Sequence, residues 1–371
     1  MKKVIAALKK YMPGILLCLV IAIIAWFLGR RFTIVGGAVF GIILGILAGL
    51  IRRPAAFNDG IRFTSKKILQ YSIVLLGFEM NMSNIIKVGS QSLLVLVFTL
   101  SASFITAYLI SKVLKLPSGI AVLIGVGTSI CGGSAIAATA PVIKADDDDV
   151  AQAISTIFLF NIIAVFLFPA IGHLLNLSDT GFGMWAGTAV NDTSSVVAAA
   201  SSWSEQAGNG TALQFATIVK LTRTLFIVPI TLVLAVYTSR KAKKAAADSA
   251  AADRTALTAE TGTASASGSS EAGTKASPTS GYSFRKVFPW FVLGFLAAAL
   301  LYTFLPIPVP VSSFLVQAGK FLIIMAMAAV GLNTNLKKLL TQSAKPLLLG
   351  ICCWGAVSGV SLLIQFFSHR M

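Results

Sequence analysis

Long apolar runs separated by short polar or basic joints repeat along this chain. They fall at about residues 13–29, 33–51, 66–80, 91–113, 118–142, 150–173, 182–203, 212–237, 287–305, 312–331 and 346–368. A helix rises about 1.5 Å per residue, so roughly 20 residues cross a hydrocarbon layer of about 30 Å. The pattern therefore predicts an all-α polytopic membrane bundle of about 11 transmembrane helices. The third run is short, and the fifth and seventh are rich in Gly, Ser and Thr. Those last two predict helices broken near their centres.

Composition narrows the class. The chain has 371 residues, 56% hydrophobic and 12% charged, with a mean hydropathy of +0.85, which excludes an ordinary soluble domain. The formal net charge of +17 comes from basic residues that flank the apolar runs, so it reads as topogenic charge and not as a nucleic-acid surface. Cys18, Cys131, Cys352 and Cys353 all lie inside apolar runs, without a CxxC or a nearby His, so neither a disulfide framework nor a metal site is expected. His173 and His369 lie at helix ends. The start, MKKVIAALKKYMPGILLCLVIAIIAWFLG, imitates a signal peptide, but Arg30 and Arg31 follow it without a small-x-small site, so a retained first span is expected.

Residues 240–284 break the pattern. They are rich in Ala, Ser, Thr and Gly with no apolar period, and predict a disordered cytoplasmic linker between a transmembrane block at 1–239 and a smaller one at 285–371. With the N-terminus inside, 22 basic residues fall on the cytoplasmic side and 5 outside, which predicts a cytoplasmic N-terminus and an outer C-terminus. In that scheme the acidic run Asp146–Asp149 is outside.

Two internal similarities carry information. LLGFEMNMSNIIKVGSQSLLVL, from Leu75, resembles AVGLNTNLKKLLTQSAKPLLLG, from Ala329, with Gly77 matching Gly331 and Asn81 matching Asn335. The two segments run in opposite directions, as an inverted repeat of a secondary transporter requires. GTSICGGSAIAATA (127–140) also resembles GTAVNDTSSVVAAA (187–200). Both lie mid-span. Close packing of small residues would explain such stretches; so would broken helices with unwound centres around a polar cavity. In the second reading, Ser134 begins one half-helix and Asp192, Thr193 or Ser194 caps another, and both N-termini suit an anion. Two spanning broken helices would run parallel, whereas an inverted pair crosses antiparallel, so one of them is allowed to be re-entrant.

Lys220 and Arg223 lie i and i+3 apart, roughly 12 and 17 Å into the eighth run. A basic residue at mid-span costs on the order of 2.5–3.5 kcal/mol, and holding an anion is the simplest use for it. Lys320 falls at a similar depth, and snorkelling is its alternative role. Asp192 is the mid-span carboxylate; it suits a helix cap or a releasable partner of Lys220 or Arg223.

GTSICGGSAIAATAPVI, FGMWAGTAVNDTSSVVAAA, IVKLTRTLFIVPI and MAMAAVGLNTNLKKL with KPLLLG occur in this order. Together they resemble the YeiH-like family of bacterial inner-membrane proteins, whose members carry a sulfate-exporter label. The resemblance covers the membrane portion and leaves out 240–284. It implies a multi-helix transporter of the inner membrane. Gly133 stands where that family commonly has Asn, and Asn191 where a His precedes the Asp, which removes a titratable imidazole.

The expected function is a secondary transporter of a small oxyanion, sulfate or an organosulfonate, working by alternating access. Lys220, Arg223 and Lys320 would supply charge. Ser129, Ser134 and Thr193 would supply hydroxyls, and the breaks at Cys131, Gly132 and Gly133 and at Asn191, Asp192 and Ser194 would supply backbone N–H groups. An anion channel or a carboxylate carrier is the alternative. No nucleophile with a base, interior carboxylate pair or phosphate loop is present in the sequence, so neither an enzyme nor a cofactor is expected. The partners expected are the anion and the lipid bilayer, with oligomeric state left open.

Overall fold

The structure is a computed structural model that describes residues 2–32, 35–51, 53–238, 240, 289–334 and 343–368. Residues 241–284 of the linker predicted at 240–284, Asn335 of the first internal match and His369 lie outside the described residues. The described residues are helical and bear out the polytopic bundle; six helices are long and apolar enough to cross a membrane.

Helix α1 spans Lys2–Arg31 and α2 spans Gly37–Gly49. A short 3-10 turn leads into α3 (Asn58–Phe63), which passes through a π-helical stretch, Thr64–Ile68, into α4 (Leu69–Leu76). Helix α5 (Met82–Leu114) is the longest, with the side chain of Asn81 accepting from the Ser83 N–H at its start. Next come α6 (Ser118–Ser129), α7 (Gly133–Ile143) and α8 (Asp147–Leu174). Then follow α9 (Asp179–Ala189), α10 (Thr193–Ala207) and α11 (Thr211–Leu225), the last continuing after a turn at Phe226 to residue 238. The remaining helices are α12 (Trp290–Phe304), α13 (Val309–Asn333) and α14 (Ala344–Phe367).

The two helices predicted to be broken are indeed interrupted, and each folds back on itself. Asp149, at the start of α8, lies against Gly119, at the start of α6. Ile120 and Ala121 of α6, Ala140 of α7 and Ala153 of α8 share one apolar cluster. Helices α6 and α7 therefore enter and leave through one face, as a hairpin. In the second hairpin, Asp179 at the start of α9 accepts from Trp203 Nε1 of α10 at 2.8 Å and from Asn209 Nδ2 at 2.8 Å. The rings of Phe182 and Trp203 stack 4.1 Å apart.

The hairpins come from opposite faces. The first has its mouth beside the end of α5, where Leu114 and Leu116 join its cluster. The second has its mouth beside the start of α5, where Thr180 and Thr211 share a cleft with Asn84. At about 1.5 Å per residue, the 33 residues of α5 separate those mouths by roughly 50 Å. We call the face where α1 begins the near face; the first hairpin opens there and the second on the far face.

This corrects one expectation. Asp146–Asp149 does not lie across the membrane from Lys112 and Lys115; it lies on the same face, because α6–α7 returns to the side it came from. Hydropathy could not show this, since a hairpin of two half-length apolar helices has the same run length as one span.

The inverted repeat extends beyond the matched segments. Helices α4 and α13, α5 and α14, and α8 and α11 run in opposite directions, as do the two hairpins. Helix α4 packs on α13, and α5 on α14. The matched glycines do equivalent work. An added Cβ at Gly77 would come within 2.7 Å of the Phe295 carbonyl oxygen on α12, and one at Gly331 would meet the carbonyl of Ile42 on α2. Each glycine lets a neighbouring backbone approach that any larger residue would push away.

Candidate functional site

The tips of the two hairpins meet. At the first tip, Ile130 leaves helical geometry and Gly132 adopts φ +67°, a left-handed value that an L-residue resists by about 1–2 kcal/mol. At the second, Val190 is extended and Asp192 caps α10, its carboxylate accepting from the Ser194 N–H at 3.0 Å and from the Ser194 hydroxyl. A Cβ on Gly132 would lie 3.5 Å from Cβ of Asp192, so the tips are in direct contact.

Two half-helix C-termini, those of α6 and α9, end at this junction with carbonyls that lack intrahelical partners. Lys220 and Arg223 of α11 take them up. The Lys220 ammonium donates to the carbonyls of Ile130 at 2.9 Å, Val190 at 3.0 Å and Asn191. The Arg223 guanidinium donates through Nε to Ser129 at 2.6 Å, and through its terminal nitrogens to Thr128, Thr188 and Val190. Both side chains are 0% exposed. The i, i+3 spacing puts them one turn apart on the same face, so each brace joins both tips at once. Cations at helix C-termini also oppose the negative end of the macrodipole.

Helices α7 and α10 begin just after the two breaks. Helix α10 has its cap in Asp192. Helix α7 begins after Gly132 with no side-chain cap, and an added Cβ on Gly133 would meet nothing within 4 Å. Gly133 is half-buried and Ser134 exposed, so open space adjoins the first two residues of α7. Asn191 adds a second feature: it is 1% exposed, and neither side-chain atom has a hydrogen-bond partner. A buried amide left that way costs about 1–3 kcal/mol.

Of the sequence-predicted residues, the structure gathers Ser129, Cys131, Gly132, Gly133, Ser134, Asn191, Asp192, Thr193, Ser194, Lys220 and Arg223 around this junction. Ser129 turns its hydroxyl back to the Val126 carbonyl, at 3.1 Å, and offers its own carbonyl to Arg223. Cys131 is 2% exposed, at the first tip. Lys320 is elsewhere: its ammonium lies 4.0 Å from the Glu79 carboxylate, both partly exposed. Sequence reasoning missed Asn161 on α8, which is 4% exposed and accepts the Asp192 N–H at 3.1 Å. A lone amide inside TIFLFNIIAVF was the available signal, since a polar residue within a span finds a protein partner.

Taken together, apolar spans, re-entrant hairpins inserted from opposite faces and an inverted repeat define a polytopic membrane protein. The chain matches the family model described as "Conserved hypothetical protein 698" over residues 13–256 and 265–350, and it belongs to that family, the YeiH-like family named above. It is 49% identical over 368 residues to a UPF0324 membrane protein of Fusobacterium nucleatum, with 95% of this chain and 96% of that one covered. A UPF0324 membrane protein of Streptococcus agalactiae is 46% identical over 361 residues, covering 96% and 97% of the two chains. One from Streptococcus mutans is 45% identical over 359 residues. No solved structure matches the chain.

Proposed function

We propose that this protein is a secondary transporter of a small oxyanion in the bacterial inner membrane, working by alternating access. One observation carries the reading: two hairpins of opposite insertion meet tip to tip, and α7 starts beside them with no side-chain cap and with open space at Gly133. Unwound backbone at mid-membrane is tolerated where it is buried in protein or lines a cavity, and half-helix N-termini there suit anionic groups. In this reading Gly133 and Ser134 present N–H groups and a hydroxyl, with Thr193 and the Asn191 amide beside them. Lys220 and Arg223 act by charge and by holding the tips, since their donors are engaged with carbonyls.

Charge narrows the substrate. Lys220 and Arg223 bring two positive charges and Asp192 one negative. The two half-helix C-termini, at roughly −0.5 each, offset the two N-termini at roughly +0.5 each. About one positive charge is left over, and Lys320 adds nothing to it because Glu79 pairs with it. A monoanion such as an organosulfonate closes that balance alone, whereas sulfate needs a co-bound cation.

The near face is assigned to the cytoplasm. Moving Lys144 to that face, as the first hairpin requires, raises its basic residues from 22 to 23 and lowers the other side from 5 to 4.

Counterflow tests the proposal. Proteoliposomes loaded with unlabelled methanesulfonate should take up labelled methanesulfonate saturably and against its gradient, with sulfate a weaker exchanger. Linear flux indifferent to the internal anion would identify a channel, and an absence of flux for either anion would reject oxyanion transport.

A further inference from the structure

A cavity lies away from the tips, on the far face, where α5, α9 and α11 begin. Its volume is about 540 Å³, within the range of small-molecule sites. Lys87 supplies its charge, and Asn84, Gln91 and Gln214 line it with amides. Thr180 and Thr211 add hydroxyls from the first turns of α9 and α11. No carboxylate is among the lining residues, and those nearest by are occupied. Asp179 accepts from Trp203 and Asn209, and Glu79 sits against Lys320. The floor is apolar: Val88, Met184, Phe215 and Ile218.

We propose that this cleft is a separate binding site for an organic anion, its acid group on Lys87 and its short apolar body on Met184, Phe215 and Ile218. Single positive charge, neutral hydrogen-bonding groups and an apolar floor together select against cations and against a bare inorganic ion, which would leave most of the space empty. The site is independent of the tip junction, so it goes beyond the transport reading and does not depend on it. Two sources of such a ligand share this chemistry, a water-soluble organic acid and the headgroup region of an anionic lipid.

Binding of 1-butanesulfonate to the purified full chain in detergent tests this, measured in the Gly133→Val background so that the tip junction is filled. The expected result is saturable binding weakened at least tenfold by Lys87→Gln. Thr180→Trp, which fills the cleft without touching its charge, should weaken it similarly. Butylammonium, with the same alkyl body and the opposite charge, should not bind. Butanesulfonate affinity in Lys87→Gln or in Thr180→Trp equal to that of the Gly133→Val parent, or butylammonium binding as tightly as butanesulfonate, would overturn the proposal. Nanodiscs separate the sources. A Lys87-dependent loss of butanesulfonate affinity on adding phosphatidylglycerol to phosphatidylcholine identifies lipid as the occupant, and unchanged affinity identifies the soluble acid.

Discussion

Arg223→Ala and Lys220→Ala should each destabilise the protein in the complete absence of anion. Arg223 reaches the carbonyls of Thr128, Ser129, Thr188 and Val190, and Lys220 those of Ile130, Val190 and Asn191. Removing either cation leaves carbonyls at two helix ends buried without donors, each costing about 1–3 kcal/mol. Breaking a buried charged network of this kind typically costs about 3–5 kcal/mol in all. The expected readout is a fall of several degrees in the unfolding temperature of anion-free protein in detergent, larger for Arg223→Ala. Arg223→Lys should fall between, because it keeps the charge and loses the planar fork that reaches both tips. If these residues instead served only as ligands of the anion, Ala at either position would leave anion-free stability unchanged or raise it, by removing an uncompensated buried charge.

Gly133→Val should do the reverse, abolishing transport while leaving the fold intact. Gly133 opens α7 with ordinary helical geometry, and an added Cβ would meet nothing within 4 Å. Valine is also a slightly better helix former than glycine, by a few tenths of a kcal/mol. The substitution therefore fills the open space beside the α7 N-terminus without straining anything around it. Counterflow should drop more than tenfold with the unfolding temperature unchanged within about 2 °C, a margin that corresponds to about 1.5 kcal/mol for a chain of 371 residues. Wild-type counterflow in Gly133→Val would remove the α7 N-terminus from the site.

Much of this was legible in the chain because helix breaks and buried charges leave signatures in apolar sequence. Glycines at 132 and 133 and the Asn-Asp pair at 191 and 192 cannot sit comfortably in a continuous helix, and both stretches are where the backbone unwinds. The Gly77–Gly331 match pointed to an inverted repeat because both positions must admit a neighbouring backbone. What Lys220 and Arg223 do was not legible. Their depth and spacing show only that positive charge is buried. Their partners are main-chain carbonyls, present at every residue, so side-chain identity gave no hint of them. The sequence allowed one of the two segments to be re-entrant but could not show that both are, for a related reason. Run length counts apolar residues and is blind to direction, whereas the contacts that close each mouth, Gly119 with Asp149 and Asp179 with Trp203, link residues 24 to 30 apart. Asn161 shows the limit from the other side, since a single amide in an apolar helix announces a partner but not which one.

The central claim is that both interrupted segments are re-entrant, from opposite faces, so that their tips meet. Labelling of single cysteines with a membrane-impermeant thiol reagent, on a background freed of Cys18, Cys131, Cys352 and Cys353, tests it most directly. Lys115→Cys and Ala145→Cys should label from the same side of the membrane, and Leu175→Cys and Asn209→Cys both from the other. If Ala145→Cys instead labels from the side opposite Lys115→Cys, the first segment spans, the tips cannot meet as described, and the account fails.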